Sequence, residues 1–414
     1  MPFTATDPQP PRRRVVITGA GIISPMGIGW GENATGFRSG HSAIGNVTLF
    51  DTSRQRTGKA GQVNLPDTLP AHHLTPRQAG RLDRATAMLL HAGSEALASA
   101  AWTTTADPLT PLVLGTSAGA MQLGEAYYRQ LLSTSSRRGQ ATRIHGYQPQ
   151  NQAHTLTTAL GLRGPATIIT NACASGANAL GHAADLVATG RAKRSLAGGY
   201  DALCQLVFAG FDSLQALSPT VARPFDKHRD GLALGEGAAL FTIEPLDAAR
   251  RRGATVIAEI VGYGATTDVH HLTQPHPGGD AALASMDTAC AQAGITARDI
   301  GYINSHGTGT PLNDVAEGHA IQRWAGDHTP SVSVSSTKGA IGHLLGGAGA
   351  VESAISLMAL TGDWIPPCVA VREPDPVCTF DLVTTPRDKP LEHALTNSFG
   401  FGGANATLVF RKIT

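Results

Sequence analysis

Cys173 is the residue in this sequence best placed for covalent chemistry. It stands in Asn171-Ala172-Cys173-Ala174-Ser175-Gly176, where a β-rich run, Ala166 to Thr170, gives way to a helical one beginning at Ser175. A thiol at a helix N-terminus faces unpaired N–H groups and the positive end of the helix dipole, and both favour the thiolate. Its small neighbours leave a substrate room to approach, and the sharp strand-to-helix turn is the device of a nucleophile elbow. An inert buried thiol is the alternative for any one cysteine, and it is the reading taken for Cys204, Cys290, Cys368 and Cys378.

His306 lies in Asn304-Ser305-His306-Gly307-Thr308-Gly309-Thr310-Pro311, directly after another strand-like run. Gly307 and Gly309 let the backbone approach a ligand closely, while Thr308 and Thr310 offer hydroxyls. His343 closes the Gly-rich turn that begins at Lys338, a residue that reads equally as a solvated charge. Asn397 to Asn405 is a Gly-aromatic loop before the last strand, able to aim an N–H at a ligand, with Phe399 and Phe401 as two rings free to move. One cysteine at a helix start, two histidines and a glycine-rich amide donor suit acyl transfer through a thioester. Each signal is weak alone. Four such loops beside predicted strands carry the argument together.

The elements that must position these loops alternate. Strands are predicted at 15–18, 111–114, 166–170, 195–197, 239–243, 256–261, 302–304, 331–335 and 407–410. Helices are predicted at 85–100, 175–188, 281–293 and 351–360, the last three followed by a glycine stop. This order is that of an α/β protein with its sheet covered on both faces. A long-period echo is also present. Leu112 to Gly119 parallels Tyr302 to Gly309, and the 166–176 strand, loop and helix start parallel 331–343. The chain therefore reads as two diverged αβ halves, 15–254 and 255–414, preceded by a flexible arm at 1–14.

Composition narrows the function classes. With 414 residues, 42% of them hydrophobic, the chain can bury a large core. Its 32 basic and 31 acidic residues leave a net charge of +1, which argues against a global nucleic-acid binder or a polybasic membrane protein. No run approaches the roughly 20 apolar residues of a membrane span, and the Pro-rich start has no apolar core of a signal peptide. Five scattered cysteines, with no metal-ligand spacing, suggest neither a disulfide framework nor a metal site. A reduced, cytoplasmic protein is expected.

The 171–176 run, His306 through Asp314, Ser336-Thr337-Lys338 through His343, and Asn397 through Asn405 together resemble the elongating, KAS II-like branch of the β-ketoacyl-acyl carrier protein synthases. Val16-Ile17-Thr18-Gly19, Arg223-Pro224-Phe225-Asp226 and Gly235-Glu236-Gly237-Ala238 extend the likeness from about Val15 to Phe410. The resemblance implies a thiolase-like fold, two similar αβ halves in a five-layer α-β-α-β-α sandwich. It also implies that Cys173 takes an acyl group from the phosphopantetheine of an acyl carrier protein, with the N–H groups of Cys173 and Phe401 as oxyanion hole. His306 and His343 would then assist decarboxylation of malonyl-carrier protein. Lys338 would act electrostatically with Asp314 and Glu317 as its partners, Phe399 and Phe401 would gate the pocket, and Thr273, Thr308 and Thr310 would bind the pantetheine arm. No bound cofactor is implied. The partners implied are acyl- and malonyl-loaded carrier protein and a second subunit, either another copy or a chain-length-factor homologue. Arg129, Arg137, Arg138, Arg143, Lys193 and Arg194 are candidate carrier contacts.

Ala118, in Gly115-Thr116-Ser117-Ala118-Gly119, stands where many fatty-acid enzymes of this branch carry a bulky aliphatic, so a deeper acyl tunnel is expected. Together with an arginine- and alanine-rich composition this favours a type II polyketide or polyene pathway over housekeeping fatty-acid elongation. Other readings fare worse. Val15 to Gly27 lacks the third glycine and the acidic residue of a dinucleotide-binding start. A non-catalytic chain-length factor typically lacks the cysteine, and a thiolase would carry a cysteine in the last Gly-rich loop.

Overall fold

The protein is described here from a computed structural model covering residues 12–104, 107–133 and 141–413. Ten strands and eight helices position the site. In chain order they are Val15–Ser24 (β1), Arg84–Ser99 (α1), Leu112–Gly115 (β2), Met121–Ser133 (α2), Pro149–Leu160 (α3), Ala166–Ile169 (β3), Ser175–Ala188 (α4), Ser195–Asp201 (β4) and Gln205–Ser213 (α5). The second half follows with Gly237–Pro245 (β5), Ala258–Thr267 (β6), Asp280–Ala293 (α6), Tyr302–Asn304 (β7), Pro311–Ala325 (α7), Ser333–Ser335 (β8), Ala348–Gly362 (α8), His393–Phe399 (β9) and Ala404–Arg411 (β10).

Strand order makes the duplication explicit. One run is β3-β2-β4-β5-β1 and the other β8-β7-β9-β10-β6, so adding five to each number converts the first into the second. Directions agree as well. β2 runs parallel to β3 and β4, with β4–β5 and β5–β1 antiparallel. Likewise β7 runs parallel to β8 and β9, with β9–β10 and β10–β6 antiparallel. The runs join where Val15, Val16 and Ile17 pair with Ile260, Glu259 and Ala258.

Helices complete five layers. α1 packs on β1 and β5, α6 packs on β6 and β10, and α4 and α8 pack together between the two runs. A helix between two sheets must be apolar all round. Accordingly α8 is buried from Ala348 to Leu360, with Glu352 as its one charged residue in that stretch. Among the described residues, the single helix long and apolar enough to cross a membrane is Leu345–Gly362, which is this central core element.

Two expectations need correction. Asn397 to Phe399, expected in a loop, end strand β9, which the sequence pattern missed entirely. β9 carries Thr396, Asn397 and Ser398 rather than a β-branched apolar run, yet it is buried between β7 and β10. Of its polar side chains, Asn397 donates to Glu317 and accepts from Thr407, while the Thr396 and Ser398 hydroxyls are buried without a partner. The arm at 1–14 is also not free throughout. Residues 1–11 lie outside the described residues, but Arg13 N–H donates to the Ala188 carbonyl, Arg14 pairs with Glu259 and Arg12 pairs with Asp185.

Candidate active site

The elbow at the end of β3 is held under local strain. Ala172 has φ +55°, in the left-handed region that side chains disfavour. Its carbonyl is fixed by two hydroxyls, Ser175 at 2.6 Å and Ser117 at 2.9 Å. Cys173 follows at the start of α4, whose N-cap has no side-chain cap. The helix position led to the expectation of a thiolate, but burial wins. It pushes the Cys173 thiol up to about 12, while the Lys338 charge and the Phe401 N–H draw it down and Asp201 and Glu352 oppose them. Gly400 is what allows the Phe401 amide so near, since a Cβ there would stand 3.0 Å from the Cys173 nitrogen.

His306 and His343 meet edge to face, ring centroids 5.3 Å apart, and His306 lies 5.6 Å from Phe399. Burial holds both imidazoles well below the ordinary histidine value, and Lys338 adds to it. Both Nδ1 atoms are buried without a hydrogen-bond partner, which leaves Nε2 as the nitrogen toward the cleft. A neutral imidazole can donate one N–H to a developing oxyanion.

Asp314 and Glu317, one turn apart on α7, shape the loop that carries His306. Glu317 accepts from the His306 and Gly307 amides at 2.8 and 2.7 Å, and Asp314 accepts from Gly309 and Phe225. Burial nevertheless raises Glu317 to about 7. Neither carboxylate pairs with Lys338, which corrects the sequence expectation. The Lys338 ammonium pairs instead with Glu352 of α8, both side chains almost fully buried, and burial raises Glu352 to about 7 against the pull of Lys338. Glu352 was missed, although a single acid in an all-apolar helix was a legible signal. Asp201 was missed too, and it gathers four backbone N–H groups around the elbow.

Cys173, His306 and His343 line one cleft of about 370 Å³ together with Phe399, Phe401 and the threonines 273, 308 and 310. Phe401 is 39% exposed at the mouth and stacks on Phe211 at 5.8 Å. Lys338 stands behind the histidines rather than on the cleft wall. Ala118 is not on this wall either. It is buried in an apolar cluster with Met121, Phe208 and Leu345. Of the candidate carrier contacts, Arg137 and Arg138 lie outside the described residues. Arg194 stacks on Trp102 and pairs with Asp107, and Arg129 pairs with Glu125. Among the described residues no group of three or more His, Cys, Asp or Glu is placed to hold a metal ion.

Comparison with known proteins gives a consistent set of relatives. Residues 12–249 match the profile of the β-ketoacyl synthase N-terminal domain, and residues 257–372 match that of the β-ketoacyl synthase C-terminal domain. The chain is 39% identical to 3-oxoacyl-acyl-carrier-protein synthase 2 of Synechocystis, over 97% of this chain and 98% of that one. It is 36% identical to the protein of the same name from Vibrio cholerae, over 97% and 100%. Among solved structures, the ishigamide ketosynthase/chain length factor superposes with a TM-score of 0.92 at 32% identity, covering 97% of this chain and 100% of that one. A type II polyketide ketosynthase solved with its acyl-carrier protein and the hexaketide gives 0.88 at 26% identity, over 97% and 100%.

Proposed function

The chain belongs to the β-ketoacyl synthase family and is an acyltransferase of the 3-oxoacyl-acyl carrier protein synthase kind; from that premise we propose that it elongates acyl chains as the ketosynthase of a type II polyketide or polyene pathway. The observation that carries the chemistry is the single cleft shared by Cys173, His306 and His343, with the Lys338–Glu352 pair behind it.

The Cys173 sulfur attacks the acyl thioester on the carrier's phosphopantetheine. A new C–S bond forms, the carbonyl π-electrons move onto oxygen, and the N–H groups of Cys173 and Phe401 hold that oxyanion. Its collapse expels the pantetheine sulfur, which departs with the proton the thiol gave up. Malonyl-carrier protein then enters, its arm along Thr273, Thr308 and Thr310. As the carboxylate leaves as carbon dioxide, its bonding electrons become the enolate, whose oxygen takes N–H bonds from the neutral His306 and His343. The enolate carbon attacks the Cys173 acyl carbon and displaces the sulfur as a thiolate, which takes a proton from water to restore the thiol, leaving a β-ketoacyl chain two carbons longer on the carrier. Each carbon–carbon bond is driven by loss of carbon dioxide, and the sequence of steps calls on no bound cofactor.

The pathway assignment rests on the likeness to the ishigamide ketosynthase/chain length factor and on the methyl side chain at 118. It carries with it a chain-length-factor homologue as partner subunit. Fatty-acid elongation as a homodimer is the second reading, favoured by the 39% identity to a 3-oxoacyl-acyl-carrier-protein synthase 2. The presence of Cys173, His306 and His343 disfavours a non-catalytic subunit. Intact-protein mass spectrometry after incubation with acyl carriers of graded length and unsaturation tests the proposal. An acyl adduct on wild type and none on Cys173→Ala is expected. A preference for polyunsaturated chains supports the polyene pathway, and a preference for saturated ones overturns it. Absence of any adduct, alone and with a co-expressed homologue, overturns the nucleophile assignment.

A further inference from the structure

Asp201 ends β4, is fully buried, and takes its contacts from a hydroxyl and backbone amides, with no ion pair among the described residues. A lone buried carboxylate is costly unless its lone pairs are filled. Here they are filled by one hydroxyl and four backbone amides. Oδ1 accepts from the Thr116 hydroxyl at 2.7 Å and from the Ala118 and Gly119 amides at 2.7 and 2.6 Å. Oδ2 accepts from the Ser117 amide at 3.0 Å and from the Gly346 amide at 2.6 Å. One carboxylate thus ties the loop after β2 to the turn between His343 and α8.

The same loop grips the nucleophile from its other side, since the Ser117 hydroxyl donates to the Ala172 carbonyl at the strained elbow. There is no slack between these parts. A Cβ on Gly346 would stand 2.5 Å from the Ser117 nitrogen and the Thr116 carbonyl carbon, so the two backbones touch directly. Ala118, in the middle of the clamped loop, faces the apolar cluster of Met121, Phe208 and Leu345.

We propose that Asp201 is a positioning residue for acyl-chain selection, clamping the Thr116–Gly119 loop so that the apolar cluster around Ala118, the Cys173 elbow and the turn after His343 are set as one body. The proposal rests on the ketosynthase reading and extends it. Interior parts packed at this density shift together or not at all, and a displacement of about 1 Å at a reacting atom can cost on the order of 10²-fold in rate. The carboxylate has a second consequence through its charge. The charged groups acting on Cys173 are Lys338, which favours the thiolate, and Asp201 and Glu352, which oppose it. His306 and His343 face it as neutral rings.

Asp201→Asn keeps the size but supplies one acceptor oxygen and an NH₂ where two acceptors are needed. It breaks either the loop side or the Gly346 side of the clamp. Ser117→Ala removes the milder link to the elbow and guards against a variant that does not fold. Both are compared with wild type in acyl loading from carriers of graded chain length, and in iodoacetamide alkylation of Cys173 from about pH 6 to about pH 10. The ratio of loading rates between the best and worst chains should flatten about 10-fold or more in both variants. The alkylation profile should move to lower pH in Asp201→Asn and stay in place in Ser117→Ala. Equal loss of loading for every chain, with the alkylation profile of Asp201→Asn unmoved, is the signature of a merely structural carboxylate and overturns the proposal. A wild type that takes no acyl group on Cys173 from any carrier overturns instead the reading on which it rests.

Discussion

The loops after β2 and after β7 occupy equivalent places in the two halves and are held by the same device, a buried carboxylate that collects backbone amides. In the first half Asp201 collects Ser117, Ala118 and Gly119 from the end of a neighbouring strand. In the second half Glu317 collects His306 and Gly307 from the helix that directly follows the loop. The turns after β3 and β8 diverge further. The first enters α4 at once and leaves a thiol at the helix start. The second inserts Lys338 to Gly347 before α8, which makes room for a lysine, a histidine and the acid that pairs with the lysine. Duplication supplied one scaffold twice. Divergence placed Cys173, the proposed nucleophile, and the Ala118 loop on one copy, and His306, Lys338 and His343, to which decarboxylation is assigned, on the other.

That division is sharpest at the nucleophile. Cys173→Ala should abolish acyl loading and condensation, by at least about 10³-fold, because the covalent route is removed outright. Decarboxylation of malonyl-carrier protein, assigned to the second copy, should persist, and trapping of released carbon dioxide measures it. Loss of both activities in a folded variant would break the division between the halves.

The second copy has its own weak point. Removing one partner of a buried ion pair leaves the other charge unpaired, at a cost of about 3–5 kcal/mol. Glu352→Gln should therefore lower stability by about that amount in denaturant unfolding and slow decarboxylation. Cys173 loading should be affected less, because Glu352 acts on the thiol only as the weakest of its charged neighbours. Equal slowing of loading and decarboxylation would show that α8 serves both copies alike.

How far the sequence reached follows the same line between side chains and charges. The apolar strands and the helices 84–99, 175–188 and 280–293 were legible because burial against a sheet leaves a periodic apolar record. The four loops were legible because glycine, histidine and cysteine beside strands are conspicuous. β9 was not, because Thr396, Asn397 and Ser398 are buried polar residues, Asn397 bonded to Glu317 and Thr407, and such a run leaves no apolar pattern. The partner of Lys338 was misassigned for a related reason. Asp314 and Glu317 stood out as two acids one turn apart, but backbone amides claim both, and the true partner arrives from α8 in the middle layer. The helix start that favours the Cys173 thiolate is visible in sequence, whereas the burial that pushes the thiol up is not.

A smaller effect is expected at the buried Ala118 cluster, which lies off the cleft wall. Ala118→Phe adds a ring to a filled apolar cluster, an overpacking cost of about 1–3 kcal/mol. Loading of the shortest acyl chains should survive, and the longest chain accepted should shorten by several carbons in a mass-spectrometric panel. An unchanged longest chain would remove Ala118 from the acyl pocket, and would leave the clamped loop with a role at the elbow only.

The smallest expected effect is an absence of change, and it tests the second copy most directly. An ordinary histidine is half protonated near pH 6.5. Burial and the Lys338 charge hold His306 and His343 well below that value, so both should remain neutral donors as the pH falls from about 8 to about 6. Stability is a poor probe here because the linkages oppose each other. The unfolded chain protonates these histidines before the native state does, so their contribution to stability is lost as pH drops below about 6.5. Glu317 and Glu352, raised to about 7, act in the opposite sense, since the unfolded chain releases their protons first and stability falls as pH rises from about 4.5 to about 7. The two Cε1–H proton resonances report the imidazoles alone. They should hold their neutral-ring positions across the range, in Cys173→Ala as in wild type. Movement of either resonance with a midpoint near 6.5 would mean that the second copy works with a charged imidazolium, and the neutral-donor role assigned to that half would fall.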